Sequence, residues 1–403
     1  MIFHKKIHLY HAILIILLLS SVLRFDVFFN GAHRYIPYRV TIITLFFYIL
    51  YSSLKNESVL KSNLKEWLVY SIAICMFSLS WLLSFESFLT FTNNILSFLY
   101  IIGGVYLFIA ALKRCDPIFI LNLRVIFLLL SCLIFTLECF IRFKYPELGL
   151  DPGMDGKIIS QRMADGVSTD NFFYFKYGSI MFFDSNYIGL NLLPLVILTL
   201  SHHKYRRIFL VWLVLLVLFS LSRSAWGGLL FIFTLWGVNR PGHFGFFLKG
   251  ISLIAFPFAI ILVYEIVKND PSFLTKIAIF NSLELITEVS YFELFFGFGL
   301  VDGPFIYSPN ENAYAHALLP LLLGQVGIVG TFIYFFTWIF MCKRFGFPVF
   351  LAFIALNLCG ISLADPWEVI YFYVPIYASF VRQYSYLQGG RKVNEGHASY
   401  THA

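Results

Sequence analysis

The sequence predicts an all-α polytopic membrane protein with about twelve transmembrane helices and two large loops on the outer face. Three observations lead there. Of 403 residues, 59% are hydrophobic and only 13% charged, whereas soluble domains are roughly half apolar and a quarter charged. The apolar residues come in long unbroken runs such as "LYHAILIILLLSSVL" and "IFLVWLVLLVLFSLS", where a membrane β-barrel would alternate apolar and polar positions. Lys and Arg collect in every second short connection, the bias that orients membrane helices. Disordered and fibrous classes are excluded, because 48 Phe and 24 Tyr dominate while Gly and Pro are ordinary.

In chain order, the first run, near 9–29, follows Lys5, Lys6 and His8 and lacks a small-residue cleavage site, so it reads as a retained span. Spans follow near 36–54, 67–85, 88–112 and 118–141, divided on one side by Lys55, Lys61 and Lys65, then by Lys113 and Arg114. Next come 185–201, 207–222 and 225–238, the last two joined through "SRSAW". The remaining spans are 250–267, 317–341, 346–364 and 367–381. The same side carries Lys204, Arg206, Arg207, Arg240, Lys249, Lys343, Arg344, Arg382, Arg391 and Lys392, and the opposite short turns carry Arg34 and little else. Residues 1–381 thus form one transmembrane domain and 382–403 a tail, with both termini expected in the cytoplasm.

Two outer loops are long, about 142–184 and 268–316. Loops of more than about 15 residues are usually functional or disordered. These are rich in Tyr, Phe and Ile, which favours folded segments over an outer cavity. Within the second, 276–296 has apolar residues at near-helical spacing suited to lying flat at the interface. No internal repeat of fixed period is present.

The net charge of +7 follows from the positive-inside bias. No basic stripe interleaves with aromatics, so no nucleic-acid partner is expected. The six cysteines lie in apolar runs or at their edges, without a CxxC pair, and read as buried small residues rather than as disulfides or a zinc site. There is no phosphate-cradling Gly loop, HExxH, GxSxG or nucleotide fingerprint. Neither metal nor cofactor is expected.

Arg223, in "LFSLSRSAWGGLL", ends one apolar run and begins the next. Exposure of that charge to lipid costs several kcal/mol, so it snorkels to the interface or faces a protein cavity. In the second case it is an anion clamp, because guanidinium binds phosphate through two bonds. Gly227 and Gly228 behind it permit close helix approach. His316 stands at the outer mouth of a span, where an imidazole is either structural or a general base near neutral pH. Gly324, Gly327 and Gly330 follow at three-residue spacing and read as small-residue helix packing. Asp184 and Asn186 either cap the sixth span or bind a polar ligand. Arg162 is a solvated loop charge or a ligand contact. Arg24, Asp26 and Arg39 lie near the outer ends of the first two spans, and Arg124 sits within the fifth, in reach of snorkelling.

With those residues in view, the chain resembles the O-antigen ligase and polymerase family of bacterial surface-polysaccharide assembly. "FDSNYIG" at 183–189 resembles the family's Asp/Asn motif leading into a span, and "SLSRSAWGGLL" at 220–230 its Ser-Arg-Ser motif. "GFGL" at 297–300 with "NAYAHALLPLLLGQVGIVG" at 312–330 resembles its GxG, His and GxxG signature. The ligases usually carry Asn, Ser or Gln directly after that His. Here it is Ala317, which favours the polymerase. The resemblance covers roughly 180–335, and the remainder agrees in topology alone.

The resemblance implies a metal-independent membrane glycosyltransferase of GT-C-like architecture in the bacterial inner membrane, with its site facing the periplasm. Its substrates would be undecaprenyl-diphosphate-linked oligosaccharides. A polymerase moves the growing glycan from one lipid diphosphate onto the next lipid-linked repeat unit, and a chain-length regulator and a flippase of the same pathway are the expected partners. His316 would be the base. Arg223, then Arg162 and Arg39, would hold the diphosphate, with Asp184, Asn186 and Tyr314 supporting the glycan. The alternatives are a ligase, whose acceptor is lipid A core, and a flippase for the same lipid-linked glycan. A flippase should show pseudo-symmetric halves and short loops, unlike this chain.

Overall fold

The computed structural model describes residues 2–23, 35–54, 103–144, 181, 185–201, 205–240, 242–243, 245–247, 249–251, 279–298, 307–308, 313–314, 317–359 and 368–398. These are helical throughout apart from turns and one two-stranded hairpin. The helices are α1 (Ile2–Val22), α2 (Tyr35–Leu54), α3 (Pro117–Lys144), α4 (Ser185–Leu200), α5 (Arg206–Phe219) and α6 (Arg223–Val238). They continue with α7 (Tyr291–Phe296), α8 (Leu318–Phe345), α9 (Phe347–Cys359) and α10 (Ile370–Ala398). Residues 103–114 are also helical. Strand β1 (Tyr307–Ser308) pairs antiparallel with β2 (Ala313–Tyr314), with Tyr307 opposite Tyr314. The span expected at 67–85 and most of that at 250–267 lie outside the described residues.

Helices form here because an apolar stretch can satisfy its N–H and C=O groups without water only within itself. Among the described residues, α3 and α8 are long and apolar enough to cross a membrane. α3 shows what surrounds it. Its buried side carries Arg124, Ser131, Glu138 and Arg142, while Ile126, Leu133, Leu137 and Phe140 are exposed. A water-facing helix has the reverse pattern; an apolar outside with a polar inside suits hydrocarbon.

The core is built around α4 and α10. Every α4 residue from Ile188 to Leu200 is buried, as is every α10 residue from Ile370 to Ala378. Around α4 lie α5, α6, α9 and α10, and α10 in turn meets α1 and α3. Buried hydroxyls tie the helices together: Tyr371 donates to Leu190 O at 2.7 Å, and Tyr377 donates to Ile120 O at 2.6 Å. At one end of the bundle Arg114 donates to Tyr10, and His11 stacks on Phe119 at 3.8 Å. At the other end Met181 N donates to Glu138 Oε1 at 3.0 Å, and Arg142 reaches the end of α5.

Two positions differ from expectation. Arg124 does not snorkel. It is buried beside Tyr377, because α10 covers that face of α3. Nor is Gly327 a helix-packing glycine. It breaks α8 with φ 64° and ψ −172°.

Candidate functional site

The turn between α5 and α6 presents Arg223. Leu221 takes left-handed φ of 57°, which reverses the chain within three residues. Ser222 Oγ accepts from Ala225 N at 3.3 Å and caps α6. Ser220 Oγ donates to Val217 O at 2.7 Å and accepts from Ser222 N at 3.3 Å. Trp226 Nε1 reaches back to Val217 O at 3.0 Å. Both Ser220 and Ser222 are buried, so their hydroxyls serve the turn. Arg223 is the first residue of α6 and is exposed. Its charge adds to the positive end of the helix dipole, a combination that holds anions.

Motifs that are distant in sequence meet in the fold, in two pairs. Gly189, the last residue of "FDSNYIG", lies in α4 against this turn. A Cβ there would stand 2.6 Å from Ser220 Oγ and 2.6 Å from Ala225 Cβ. The "GFGL" segment docks into the break in α8. Phe298 N donates to Gly324 O at 2.7 Å. A Cβ on Gly297 would lie 2.6 Å from the backbone N of Gly327. Gly297 itself has φ 82° and ψ 177°, a region essentially reserved for glycine. The bond from Phe298 N to Gly324 O satisfies a carbonyl freed by the break, and Thr331 Oγ1 donates to Gly327 O at 2.7 Å just beyond it. Before the dock, Ser290 and Glu293 form a capping box that starts α7.

Of the other sequence candidates, Arg39 is exposed near the start of α2 and Tyr314 belongs to β2. Asn186 lies in the first turn of α4. His316, Arg162 and Asp184 lie outside the described residues, as do Arg24 and Asp26. Ala317, the neighbour of His316, is fully buried against Ile279 and Phe280 of the second long loop. Gly227 has open space where its Cβ would be, whereas Gly228 is buried. Among the described residues no cluster of His, Cys, Asp or Glu suits a metal ion.

Sequence reasoning passed over Arg142. It is 1% exposed and donates to Phe219 O and, at 3.2 Å, to Ser220 O. A cation on the last carbonyls of α5 satisfies groups that a helix end leaves open. Arg142 thereby fastens the turn carrying Arg223. A signal was present: Arg124, Ser131, Glu138 and Arg142 recur at seven, seven and four residues in an apolar run, which is one helix face. Arg142→Ala is expected to lower stability by about 1–3 kcal/mol through the orphaned carbonyls, read as a drop in melting temperature of detergent-solubilised protein. Arg142→Lys should fall between, since an ammonium lacks the planar fork.

On the outward side of the same turn, an apolar groove of about 320 Å³ runs between α3 and α5. Phe140, Phe143, Trp212, Leu215 and Phe219 line it, and Trp212 Nε1 is satisfied by Thr136 Oγ1 at 2.9 Å. A cation at a helix start beside an apolar groove is an arrangement suited to a ligand with a charged head and a hydrocarbon tail. No family model matches the chain, and no curated protein matches it.

Proposed function

We propose that this chain is a membrane glycosyltransferase that polymerises lipid-linked oligosaccharide repeat units at the periplasmic face of a bacterial inner membrane. One observation carries the reading. The Asp/Asn motif packs on the Ser-Arg-Ser motif through Gly189, and the GxG motif packs on the GxxG motif through Gly297 and Gly327. Segments that each resemble a motif of one family thus contact each other in pairs. The finer architecture belongs to the same proposal: about twelve spans, GT-C-like arrangement, cytoplasmic termini and outer loops over the site.

In this reading the sugar hydroxyl of one lipid-linked repeat attacks the anomeric carbon of the growing glycan. A C–O bond forms, the bond from that carbon to undecaprenyl diphosphate breaks, and the diphosphate leaves with the electron pair. His316 takes the hydroxyl proton. Arg223, at the head of α6, holds the leaving diphosphate, with Arg162 and Arg39 as further cations. The groove between α3 and α5 lies where the lipid's hydrocarbon would run. Fixed charge around a leaving group is usually the larger catalytic contribution. No metal or cofactor enters these steps.

The test is a clean deletion in the host followed by gel analysis of the surface glycan. A core capped with a single repeat unit is expected. Bare core would instead mark a ligase or a flippase and overturn the assignment.

A further inference from the structure

The bundle end remote from Arg223 holds a second cationic group that the proposed chemistry does not use. α5 and α6 run antiparallel, so the start of α5 meets the residues after α6. Two guanidiniums lie against one indole there. The Arg206 carbon is 5.2 Å from the centre of the Trp236 ring, and that of Arg240 is 3.7 Å from it. Arg207 adjoins them and is exposed.

Cation–π contact draws these groups together, but like charges repel. Burial first, then the charges of Arg240 and Arg207, hold the Arg206 guanidinium below its usual value. Among the described residues no carboxylate pairs with Arg206, Arg207 or Arg240 to offset this. An anion at this point would neutralise the cluster, and guanidinium matches phosphate in particular through parallel N–H···O bonds.

The surroundings choose among phosphates. Ile208, Val211, Leu215 and Leu218 are all exposed on α5. Their spacing of three and four residues places them on one face, starting beside Arg207. A soluble anion has no use for such a stripe, whereas a diacyl lipid covers it. Trp is also the side chain favoured at headgroup level.

We propose that Arg206, Arg207 and Arg240, gathered on Trp236, form a headgroup site for an anionic diacyl phospholipid. Its phosphate sits on the guanidiniums and its chains lie along the exposed apolar face of α5. Its headgroup end lies opposite the proposed glycan chemistry, the two share Leu215 of the groove between α3 and α5, and its test contains no glycan.

Native mass spectrometry of the full chain in detergent reads this binding directly, with phosphatidylglycerol, phosphatidylcholine and inorganic phosphate titrated separately. Phosphatidylglycerol is expected to bind better than phosphatidylcholine. Its affinity should fall about fivefold for Arg206→Gln or Arg240→Gln and about 25-fold for the pair, the usual effect of juxtamembrane cations. Equal binding of the two lipids, or an unchanged double variant, overturns the site. Competition by inorganic phosphate at equal concentration would mark a free-anion site and overturn the lipid assignment. A fluorescence measurement covers a double variant that fails to fold. Phosphatidylglycerol with brominated chains should quench the wild type more than Trp236→Phe, and equal fractional quenching refutes the proposal.

Discussion

Arg223→Ala protein that inserts and accumulates normally is expected to build no long-chain polysaccharide. The guanidinium stands at the first position of α6, and its turn is held by Ser220, Ser222 and Arg142. Those bonds survive the substitution, since none of them involves the Arg223 side chain. The loss would fall on the leaving diphosphate. Removal of one preorganised charge-stabilising group typically costs about 10²–10³ in rate. His316→Ala should cost a comparable or larger factor, about 10²–10⁴ for a general base. Long-chain product from either variant, resolved on the gel at normal protein level, would refute its role. Arg223→Lys is more discriminating. It keeps the charge and loses the two-pronged grip, so full activity would show that a point charge suffices.

Gly297→Ala should be a strongly damaging single-methyl change, as should Gly327→Ala on the facing side of the same contact, where the added carbon would lie 2.4 Å from Phe295 O. At Gly297 two costs combine. The residue sits at φ 82°, ψ 177°, where a side chain costs about 1–3 kcal/mol in backbone strain. The added carbon would also lie 2.6 Å from backbone atoms of Gln325, Val326 and Gly327, which cannot swing aside as a flexible side chain can. Loop and helix would have to separate, breaking the bond from Phe298 N to Gly324 O. The expected result is a lower melting temperature in detergent and loss of the long-chain product together. Gly227→Ala is the control. Nothing lies within 4 Å of its added carbon, and alanine favours helix, so it should melt at or slightly above the wild-type temperature.

The helices were legible because long apolar runs leave the backbone one choice in hydrocarbon. The expected span at 118–141 is α3, Pro117–Lys144, and that at 317–341 is α8, Leu318–Phe345. Arg223 was legible as well, since a charge between two apolar runs must mark their turn. What the chain concealed depends on neighbours. Arg142 looked like the first charge of a loop, but α3 continues through Lys144 and turns that side chain back under Ser220. Gly189 showed no local signal, because its role is the room it leaves for another helix pair. Gly324, Gly327 and Gly330 had the spacing of helix packing, and only the docked segment 295–298 reveals that Gly327 is a break.

That break anchors the second long loop at one point along its length. At Gly297 and Phe298 the loop is stitched into α8 by main-chain contacts, so it cannot lift away at that point without exposing amide groups in a greasy setting.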